Sequence, residues 1–331
     1  MNAPIITFFN NKGGVGKTSL VYHLSWMLAD LGHRVVAADL DPQANLTASF
    51  LDEEQIEELW STSEARTTWS AIRPFVDDEG TIEQITPTVT DEERLVLLPS
   101  DLTLSRFEDE LSAQWLACLE GTKLRPFLVM SAFWTVLRTA AAEHRAEVVL
   151  VDVGPSLGAI NRAALVASDH VVVPMAPDLF SLQGLRNLGP TLRDWRRGWR
   201  KRLDERPADD RALPAGAMRP LGYVVLAHGV RLNRPVKAYQ RWMDEIPQQF
   251  HGLVLDEPNP ALLLEDDRYC LAKLKHYHSL MPMAQEARKP IFALKPADGA
   301  FGGHAQAALR AYGDFRALAG RLLEVTFAAA A

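Results

Sequence analysis

A cluster of glycines and lysines near the amino terminus constrains the fold of this chain more than any other feature. The cluster covers residues 11–19, and a short apolar run at residues 4–9 precedes it. After the cluster, leucine and methionine recur at helical spacing as far as Gly32, a residue type that commonly follows the end of a helix. The sequence therefore predicts a strand, a glycine-rich loop and a helix in direct succession.

The residue types in this loop are those that a phosphate-binding loop needs. Small residues let successive backbone N–H groups surround a phosphate, a lysine matches its charge, and a hydroxyl can bind magnesium. Lys17 and Thr18 supply the last two groups, but Asn11 stands where the general P-loop pattern has a glycine. We therefore expect a nucleotide site built on a non-standard P-loop. Its predicted nucleotide-binding residues are Lys12, Gly13, Gly14, Val15, Gly16, Lys17, Thr18 and Ser19.

Alternation of apolar runs with helical segments predicts the remainder of the fold. The pattern indicates an α/β fold class, a doubly wound, mostly parallel sheet flanked by helices. No linker rich in glycine or serine divides the chain, so we expect a single domain over residues 1–331, with a frayed tail at residues 327–331. The predicted later strands are residues 34–39, 95–98, 148–152, 170–174 and 221–226.

Charge is distributed unevenly along this chain. The formal net charge is −7, yet residues 52–93 contain thirteen acidic residues against two basic ones. We interpret residues 52–94 as an acidic insertion, either a solvated excursion or a docking surface for a partner. The rest of the chain is net positive, so the negative net charge of the full chain does not exclude binding to nucleic acid.

Several classes of protein are disfavoured by composition. No apolar run approaches the roughly 18 residues that a membrane-spanning helix needs, and no basic flank marks a signal peptide. Cys118 and Cys270 are too few for a disulfide framework and do not have metal-ligand spacing, so we expect buried thiols. These observations predict a cytoplasmic protein.

The loop at residues 12–18 resembles the deviant Walker A motif of the ParA/MinD family, and most closely that of its ParA/Soj-type partition ATPases. Residues 39–45 resemble the first switch of that family, and the apolar run 148–152, which ends in a carboxylate, resembles its Walker B strand. Gly154 departs from the family pattern, which has a proline there, and we expect it to loosen the second switch. The resemblance extends from residue 5 to about residue 226.

This resemblance implies roles for individual residues. Lys17 would contact the β- and γ-phosphates of ATP, and Thr18 would bind Mg²⁺. Asp41 would orient the attacking water and, with Asp152, would lie beside the metal. Lys12 would cross into the partner's site in a homodimer that sandwiches ATP, as an arginine finger does in other systems. The implied cofactors are therefore ATP and Mg²⁺.

The function that the resemblance implies is a weak ATPase whose ATP-bound dimer binds DNA nonspecifically, in association with the nucleoid. A ParB-like or adaptor partner protein would stimulate hydrolysis, so that DNA or other cargo is segregated or positioned. The alternatives are an ATP-gated scaffold without a partition role and a MinD-like membrane ATPase, for which residues 302–331 carry few basic residues. A nitrogenase-like reductase is disfavoured because no cysteine closely follows Asp152.

A basic segment at residues 192–203 is the predicted DNA surface. Arginines recur there at helical spacing beside an apolar stripe, which predicts a docked helix with a basic outer face suited to phosphates. The alternative is a solvated face that complements a helix carboxyl terminus. The candidate DNA-binding residues are Arg193, Arg196, Arg197, Arg200, Lys201 and Arg202, and a second candidate patch contains Arg231, Arg234, Lys237 and Arg241. The family resemblance also implies adenine contacts around residues 174–177 and 226–228.

Overall fold

The computed structural model describes residues 2–62, 64–77, 81–226, 236–258, 262–275, 277 and 280–328, with only the backbone given for residues 236–239. Its sheet is built from strands that are buried along most of their length. The strands are β1 (Ile5–Phe8), β2 (Val35–Asp39), β3 (Thr88–Val89), β4 (Leu95–Leu98), β5 (Val148–Asp152), β6 (His170–Met175), β7 (Arg219–Leu226) and β8 (Cys270–Leu274).

The strand order across the sheet is β3-β4-β2-β5-β1-β6-β7-β8. All neighbouring pairs are parallel except β3 and β4, which confirms the predicted doubly wound α/β fold. β1 lies between β5 and β6, and Asp39 at the end of β2 is directly opposite Asp152 at the end of β5. The carboxyl ends of these strands therefore bring together the segments that the sequence marks as functional.

Helices cover both faces of the sheet. They are α1 (Lys17–Asp30), α2 (Asn45–Phe50), α3 (Glu53–Ser61), α4 (Thr68–Val76), α5 (Phe107–Ala117), α6 (Arg125–Met130), α7 (Ala132–His144), α8 (Ala159–Val166), α9 (Leu179–Asp204), α10 (Val236–Gln249), α11 (Leu280–Ala287) and α12 (Gly303–Ala328). Short 3₁₀ segments occupy Leu102–Arg106, Ile291–Ala293 and Pro296–Asp298, and a π-helix occupies Phe250–Leu255.

Two hydrophobic clusters lie on opposite faces of the sheet, because successive side chains of a strand point to opposite sides. In β1, Ile5 packs into the cluster beneath α4 to α10, whereas Ile6 and Phe8 pack beneath α1, α11 and α12. Burial on both faces accounts for the nearly continuous apolar runs of β1, β2, β4 and β5.

Two strands were not predicted from the sequence. β3 has only two residues, and β8 at the far edge is half-buried and includes the exposed Lys273. An edge strand of this kind lacks the continuous apolar run that identified the central strands.

The acidic segment 52–94 is not solvated throughout. It contains α3 and α4, whose amino termini are closed by capping boxes at Asp52 and Thr67. Trp69 and Ile72 of α4 are buried in the core cluster, together with Ile85 farther along the segment. The acidic side chains of this segment that the structure describes are exposed or partly exposed.

The carboxyl-terminal helix and the cysteines also differ in detail from expectation. α12 continues to Ala328, so the predicted frayed tail begins inside a helix, and residues 329–331 lie outside the described residues. Cys118 is buried as expected, but Cys270 is only partly buried. Among the helices described, none has the length and apolar character needed to cross a membrane.

Candidate nucleotide and magnesium site

The loop between β1 and α1 has the backbone geometry of a phosphate-binding loop. Gly14 and Gly16 adopt left-handed conformations, with φ of 69° and 83°, which glycine reaches without a side-chain penalty. A Cβ atom on Gly16 would lie 2.9 Å from Cδ1 of Leu226. α1 begins at Lys17, directly after this turn, so its first backbone N–H groups face the loop.

A cavity of ≈ 550 Å³ opens in front of the loop. The side chains and backbone that line it come from the P-loop, α1, the loop after β2, α2, α11 and the segment after β5. They are Gly13, Gly14, Val15, Gly16, Lys17, Thr18, Ser19, Tyr22, His23, Asp41, Asn45, Ala48, Ser49, Val153, Pro155, Met281, Ala284 and Gln285.

Lys17 lies at the base of this cavity and is almost fully buried. Its Nζ donates to the backbone oxygen of Lys12 at 3.5 Å. Burial lowers the pKa of Lys17, while the nearby carboxyl groups of Asp152 and Asp41 act in the opposite direction. A phosphate in the cavity would supply the negative charge that a buried ammonium needs.

Thr18 and Asp152 meet at the carboxyl edge of the sheet. The hydroxyl of Thr18 donates to Oδ2 of Asp152 at 2.6 Å, while the buried Oδ1 has no hydrogen-bond partner among the described residues. Burial, and next the neighbouring Asp39 carboxyl, raise the pKa of Asp152 to about 8. An unpaired carboxylate oxygen beside a hydroxyl fits a magnesium ion.

A magnesium ion at Thr18 and Asp152 would not need a full set of protein ligands. Within the part of the chain that the structure describes, no group of three or more histidine, cysteine or acidic side chains could hold a metal ion. Magnesium commonly takes one or two protein ligands and completes its shell with phosphate oxygens and water. Thr18 and Asp152 correspond to that small number of protein ligands.

Asp39 is a functional residue to which sequence reasoning gave no separate role. Its buried carboxyl accepts hydrogen bonds from the backbone N–H and hydroxyl of Thr47, both at 2.8 Å, and from the N–H of Asp41 at 3.1 Å. Burial raises the pKa of Asp39 to about 7, although the hydrogen bonds from Thr47 oppose the shift. Asp39 therefore fixes the backbone that presents Asp41 to the cavity.

Asp41 itself lies in the wall of the cavity and faces the segment after β5. Its Oδ1 accepts from the N–H of Gln43 at 3.0 Å. A Cβ atom on Gly154 would lie 3.2 Å from that same oxygen, so glycine leaves room for the carboxylate. The amide of Asn161 donates to the carbonyls of Gly154 and Ser156, both at 2.7 Å, and holds this segment in place.

Lys12 does not line the cavity of its own chain. Its ammonium donates to Oδ2 of Asp178 at 2.6 Å and lies 5.9 Å from the ring centre of Phe180. Asp178 caps α9, because its Oδ1 accepts from the N–H of Ser181 at 2.8 Å. Burial alone would raise the pKa of Asp178, but the bonds from Lys12 and Ser181 hold that pKa below its ordinary value.

The predicted basic helix exists as the second half of α9, but only part of its charge faces outward. Arg197, Arg200 and Lys201 are exposed. Arg193 and Arg196 are half-buried and donate to the backbone oxygens of Leu253 and Met218.

Arg202 is a correction to the predicted DNA surface. Its guanidinium is buried, donates to the backbone oxygens of Trp115 and Gly198, and stacks on the Trp115 ring at 3.7 Å. The apolar environment that α5 creates around this side chain removes it from solvent and from any phosphate.

Two further predictions fall partly outside the described residues. Of the second basic patch, Arg231 and Arg234 lie outside them, the side chain of Lys237 is not described, and Arg241 is exposed beside Glu245. A second cavity of ≈ 280 Å³ adjoins the first, and Leu226 lines it, whereas residues 174–177 line neither cavity. Residues 227 and 228 lie outside the described residues.

Together, the sheet order, the glycine loop and the paired Thr18 and Asp152 define a P-loop nucleotide-binding protein. The family model described as "AAA domain" (AAA_31) matches residues 3–204, more than half of the chain. The chain is 31% identical over 190 residues to the sporulation initiation inhibitor protein Soj of Bacillus subtilis. This protein therefore belongs to the ParA/MinD family and is most like its ParA-type partition ATPases.

Similarity to Soj covers 57% of this chain and 64% of that protein, so the match spans less than two thirds of the relative. Solved structures share the fold over nearly the full length. Protein DIP2308 from Corynebacterium diphtheriae has a TM-score of 0.73 at 24% identity and covers 98% of this chain and 99% of its own. A putative plasmid partition protein from Borrelia burgdorferi, bound to AMPPNP, has a TM-score of 0.57 at 18% identity over the same shares.

Proposed function

We propose that this protein is a cytoplasmic ATPase that binds ATP with Mg²⁺, dimerises around the nucleotide, and binds DNA nonspecifically to segregate or position DNA or other cargo. A partner protein, ParB-like or an adaptor, stimulates its slow hydrolysis. The observation that carries the proposal is the convergence of Lys17, Thr18 and Asp41 on one cavity at the mouth of the P-loop, with Asp152 bonded to Thr18 behind it.

Phosphoryl transfer leaves the protein mainly the tasks of positioning groups and neutralising charge. Lys17 approaches the terminal phosphates from the base of the cavity, and Asp41 in its wall orients the attacking water. Thr18 and Asp152 would hold the magnesium ion, which would supply charge neutralisation for the phosphate oxygens. Because burial raises the pKa of Asp152 to about 8, its carboxyl would release its proton to solvent on binding the metal.

The position of Lys12 supports a role in dimerisation. It lies at the entrance of the P-loop, outside the cavity of its own chain. Its ammonium is held by the ion pair with Asp178, by a long contact to Ser181 at 3.4 Å and by the ring of Phe180. We propose that Lys12 leaves this pair when ATP joins two subunits and then contacts the phosphates of the partner's nucleotide. Assembly and hydrolysis are thereby coupled.

The DNA-binding part of the proposal rests on the exposed residues of α9. Arg197, Arg200 and Lys201 offer three cations per subunit and six per dimer. Contacts of this kind are made to phosphates without reading sequence, and affinity falls with salt at a slope of about 0.9 per phosphate neutralised. The dimer is therefore expected to bind any duplex.

The test of the catalytic proposal compares wild type with Lys17→Ala and Lys12→Ala in ATP binding, sedimentation and phosphate release. We expect Lys17→Ala to lose nucleotide binding, and Lys12→Ala to bind ATP but remain monomeric and inactive. Equal dimerisation and turnover in Lys12→Ala and wild type would refute the coupling.

The test of DNA binding uses Arg197→Glu combined with Arg200→Glu on random duplex DNA with ATP, across a range of salt. A matched control reverses two exposed arginines on the other face of the sheet, Arg310→Glu with Arg316→Glu. We expect loss of binding in the first pair only. Unchanged binding in both pairs would exclude this face.

An ATP-gated scaffold is the second candidate function. The observation that favours it is the internal use of Arg193, Arg196 and Arg202, which leaves a smaller basic face than the sequence indicates. If ATP drives dimerisation while turnover stays negligible with DNA present and DNA is not retained, the scaffold replaces the partition role.

A further inference from the structure

His23 lies on α1 one helical turn after Ser19, and it lines both cavities at the nucleotide site. The side chain is buried, with 2% exposure. Its ring stacks on Phe315 of α12 at a centroid distance of 5.1 Å and meets Tyr22 edge-on. The residue is thus a fixed part of the cavity wall to which the proposed chemistry assigns no role.

Hydrogen bonding determines which ring nitrogen of His23 carries the proton. Nδ1 lies 2.6 Å from the backbone oxygen of Ser19, and a carbonyl oxygen can only accept. Nδ1 therefore donates and carries the hydrogen. Burial lowers the pKa of His23 to about 4, so the ring is neutral near pH 7. The other nitrogen, Nε2, is consequently a bare acceptor.

This acceptor is unsatisfied. Nε2 of His23 is buried and has no hydrogen-bond partner among the described residues. Buried polar atoms in folded proteins nearly always have a partner, and an unpaired one calls for a bound group that is absent from the chain itself. The donor that fits must enter through one of the two cavities that His23 lines.

The lining of the second cavity suits the adenine base of ATP better than its ribose. It begins at the P-loop glycines, and its far walls are apolar, with Leu226, Leu274, Ile291 and Phe315 among them. Flat apolar walls with a few placed polar groups are typical of sites for aromatic ligands. A purine that reaches this space from the P-loop passes the ring of His23.

We propose that Nε2 of His23 accepts a hydrogen bond from the 6-amino group of adenine and makes His23 a specificity-determining residue. The inference rests on the proposed ATP site. Guanine carries an oxygen at the equivalent position, which accepts and cannot donate, so the pair would place two acceptors face to face. A ribose hydroxyl could also donate to Nε2, and the experiment below distinguishes it from the amino group.

The experiment is a double-mutant cycle in which one change is made in the protein and the other in the ligand, by removal of the amino group. Affinities of wild type and His23→Phe are measured for ATP and for purine riboside triphosphate, which lacks the amino group, with 2′-deoxy-ATP and 3′-deoxy-ATP as ribose arms. We expect loss of the amino group to weaken wild type about fivefold, the scale of one neutral hydrogen bond. In His23→Phe the same loss should have no further effect.

Controls separate the hydrogen bond from packing and from folding. Phe315→Leu disturbs the ring that stacks on His23 without removing an acceptor, so it should change the affinities for ATP and the purine analogue equally. His23→Gln offers an amide oxygen and should restore part of the preference for the amino group. Thermal unfolding without nucleotide shows that each variant is folded.

Each outcome decides the proposal. A fivefold amino-group effect in wild type that disappears in His23→Phe supports it. An equal amino-group effect in both proteins, or coupling to a ribose hydroxyl only, overturns the assignment to adenine. Failure of wild type to bind any of the four nucleotides would overturn the proposed ATP site instead, and the inference with it.

Discussion

Asp178→Asn is expected to promote ATP-dependent dimerisation by releasing Lys12. The ammonium of Lys12 lies 2.6 Å from Oδ2 of Asp178, and the two side chains are 26% and 20% exposed. Asparagine keeps a side-chain oxygen that can accept from the N–H of Ser181, so the cap of α9 survives while the charge is lost. The substitution therefore changes the ion pair and little else.

The magnitude follows from the partial burial of this pair. Exposed ion pairs contribute about 0 to 1 kcal/mol, and hydrogen bonds to charged groups about 1.5 to 3 kcal/mol. We take about 1 kcal/mol for Lys12 and Asp178, which are neither fully exposed nor fully buried. Each subunit of a dimer must break one such pair, so two pairs correspond to a roughly 30-fold lower dissociation constant for Asp178→Asn.

Analytical ultracentrifugation with a nonhydrolysable ATP analogue measures this constant directly. In the Lys12→Ala background, Asp178→Asn should have no effect, because the pair is already absent. Asp52→Asn is the matched control, since Asp52 caps α3 in the same way and makes no contact with Lys12. A dimer of unchanged or lower affinity in Asp178→Asn would refute the view that this pair restrains Lys12.

Three further predictions concern the nucleotide site and the fold. Asp152 has a folded-state pKa of about 8, above its ordinary value, so the stability from its neutral form is lost as pH rises through that value. The melting temperature of nucleotide-free wild type should therefore fall more between pH 6 and 9 than that of Asp152→Asn. Parallel curves for the two proteins would contradict this prediction. Gly16→Ala should cost more nucleotide affinity than Gly14→Ala in calorimetry, because both have positive φ, but only at Gly16 would a Cβ come as close as 2.9 Å to another atom, Cδ1 of Leu226, whose side chain must then shift. Arg202→Ala should destabilise the protein by about 1 to 3 kcal/mol in denaturant titrations, through its lost bonds to Trp115, and leave DNA binding unchanged.

The strands that sequence analysis located best are those buried on both faces. Residues 95–98 and 148–152 were predicted with the bounds that β4 and β5 have, because their apolar runs end abruptly at polar residues. β8 was missed for the opposite reason. It is a short edge strand that mixes buried, partly buried and exposed side chains without a regular alternation, and such a run cannot be told from a loop by composition.

The site was predictable where its residues are close in sequence and unpredictable where packing joins distant ones. Spacing placed the start of a helix at Thr18, and in the structure α1 begins one residue earlier, at Lys17. It could not reveal that Lys12 pairs with a residue 166 positions away, or that Trp115 covers Arg202. A helical projection shows which side chains share a face, but not which backbone carbonyls will lie opposite that face.

α9 joins the Lys12 ion pair to the exposed cations of the proposed DNA surface, and its contacts with the rest of the protein determine how a change at one region affects the other. The helix begins at the Lys12 ion pair, contains Pro190, and carries its exposed cations beyond that point. A Cβ atom on Gly189 would lie 2.0 Å from the backbone oxygen of Leu253, and Arg202 fastens the far end to α5. We therefore expect a change at the first turn to be absorbed near Pro190, where a backbone hydrogen bond is already missing.

It follows that ATP is expected to promote DNA binding by bringing two basic faces together, and not by reshaping either one. Arg197, Arg200 and Lys201 are exposed in the single subunit. A monomer held by Lys12→Ala should thus keep weak DNA binding with a salt slope of about −3, and the wild-type dimer should show about twice that slope. Equal slopes for monomer and dimer would mean that only one of the two faces contacts the DNA. A slope near zero for the monomer would mean that the basic face forms only on dimerisation, and that α9 moves as a whole.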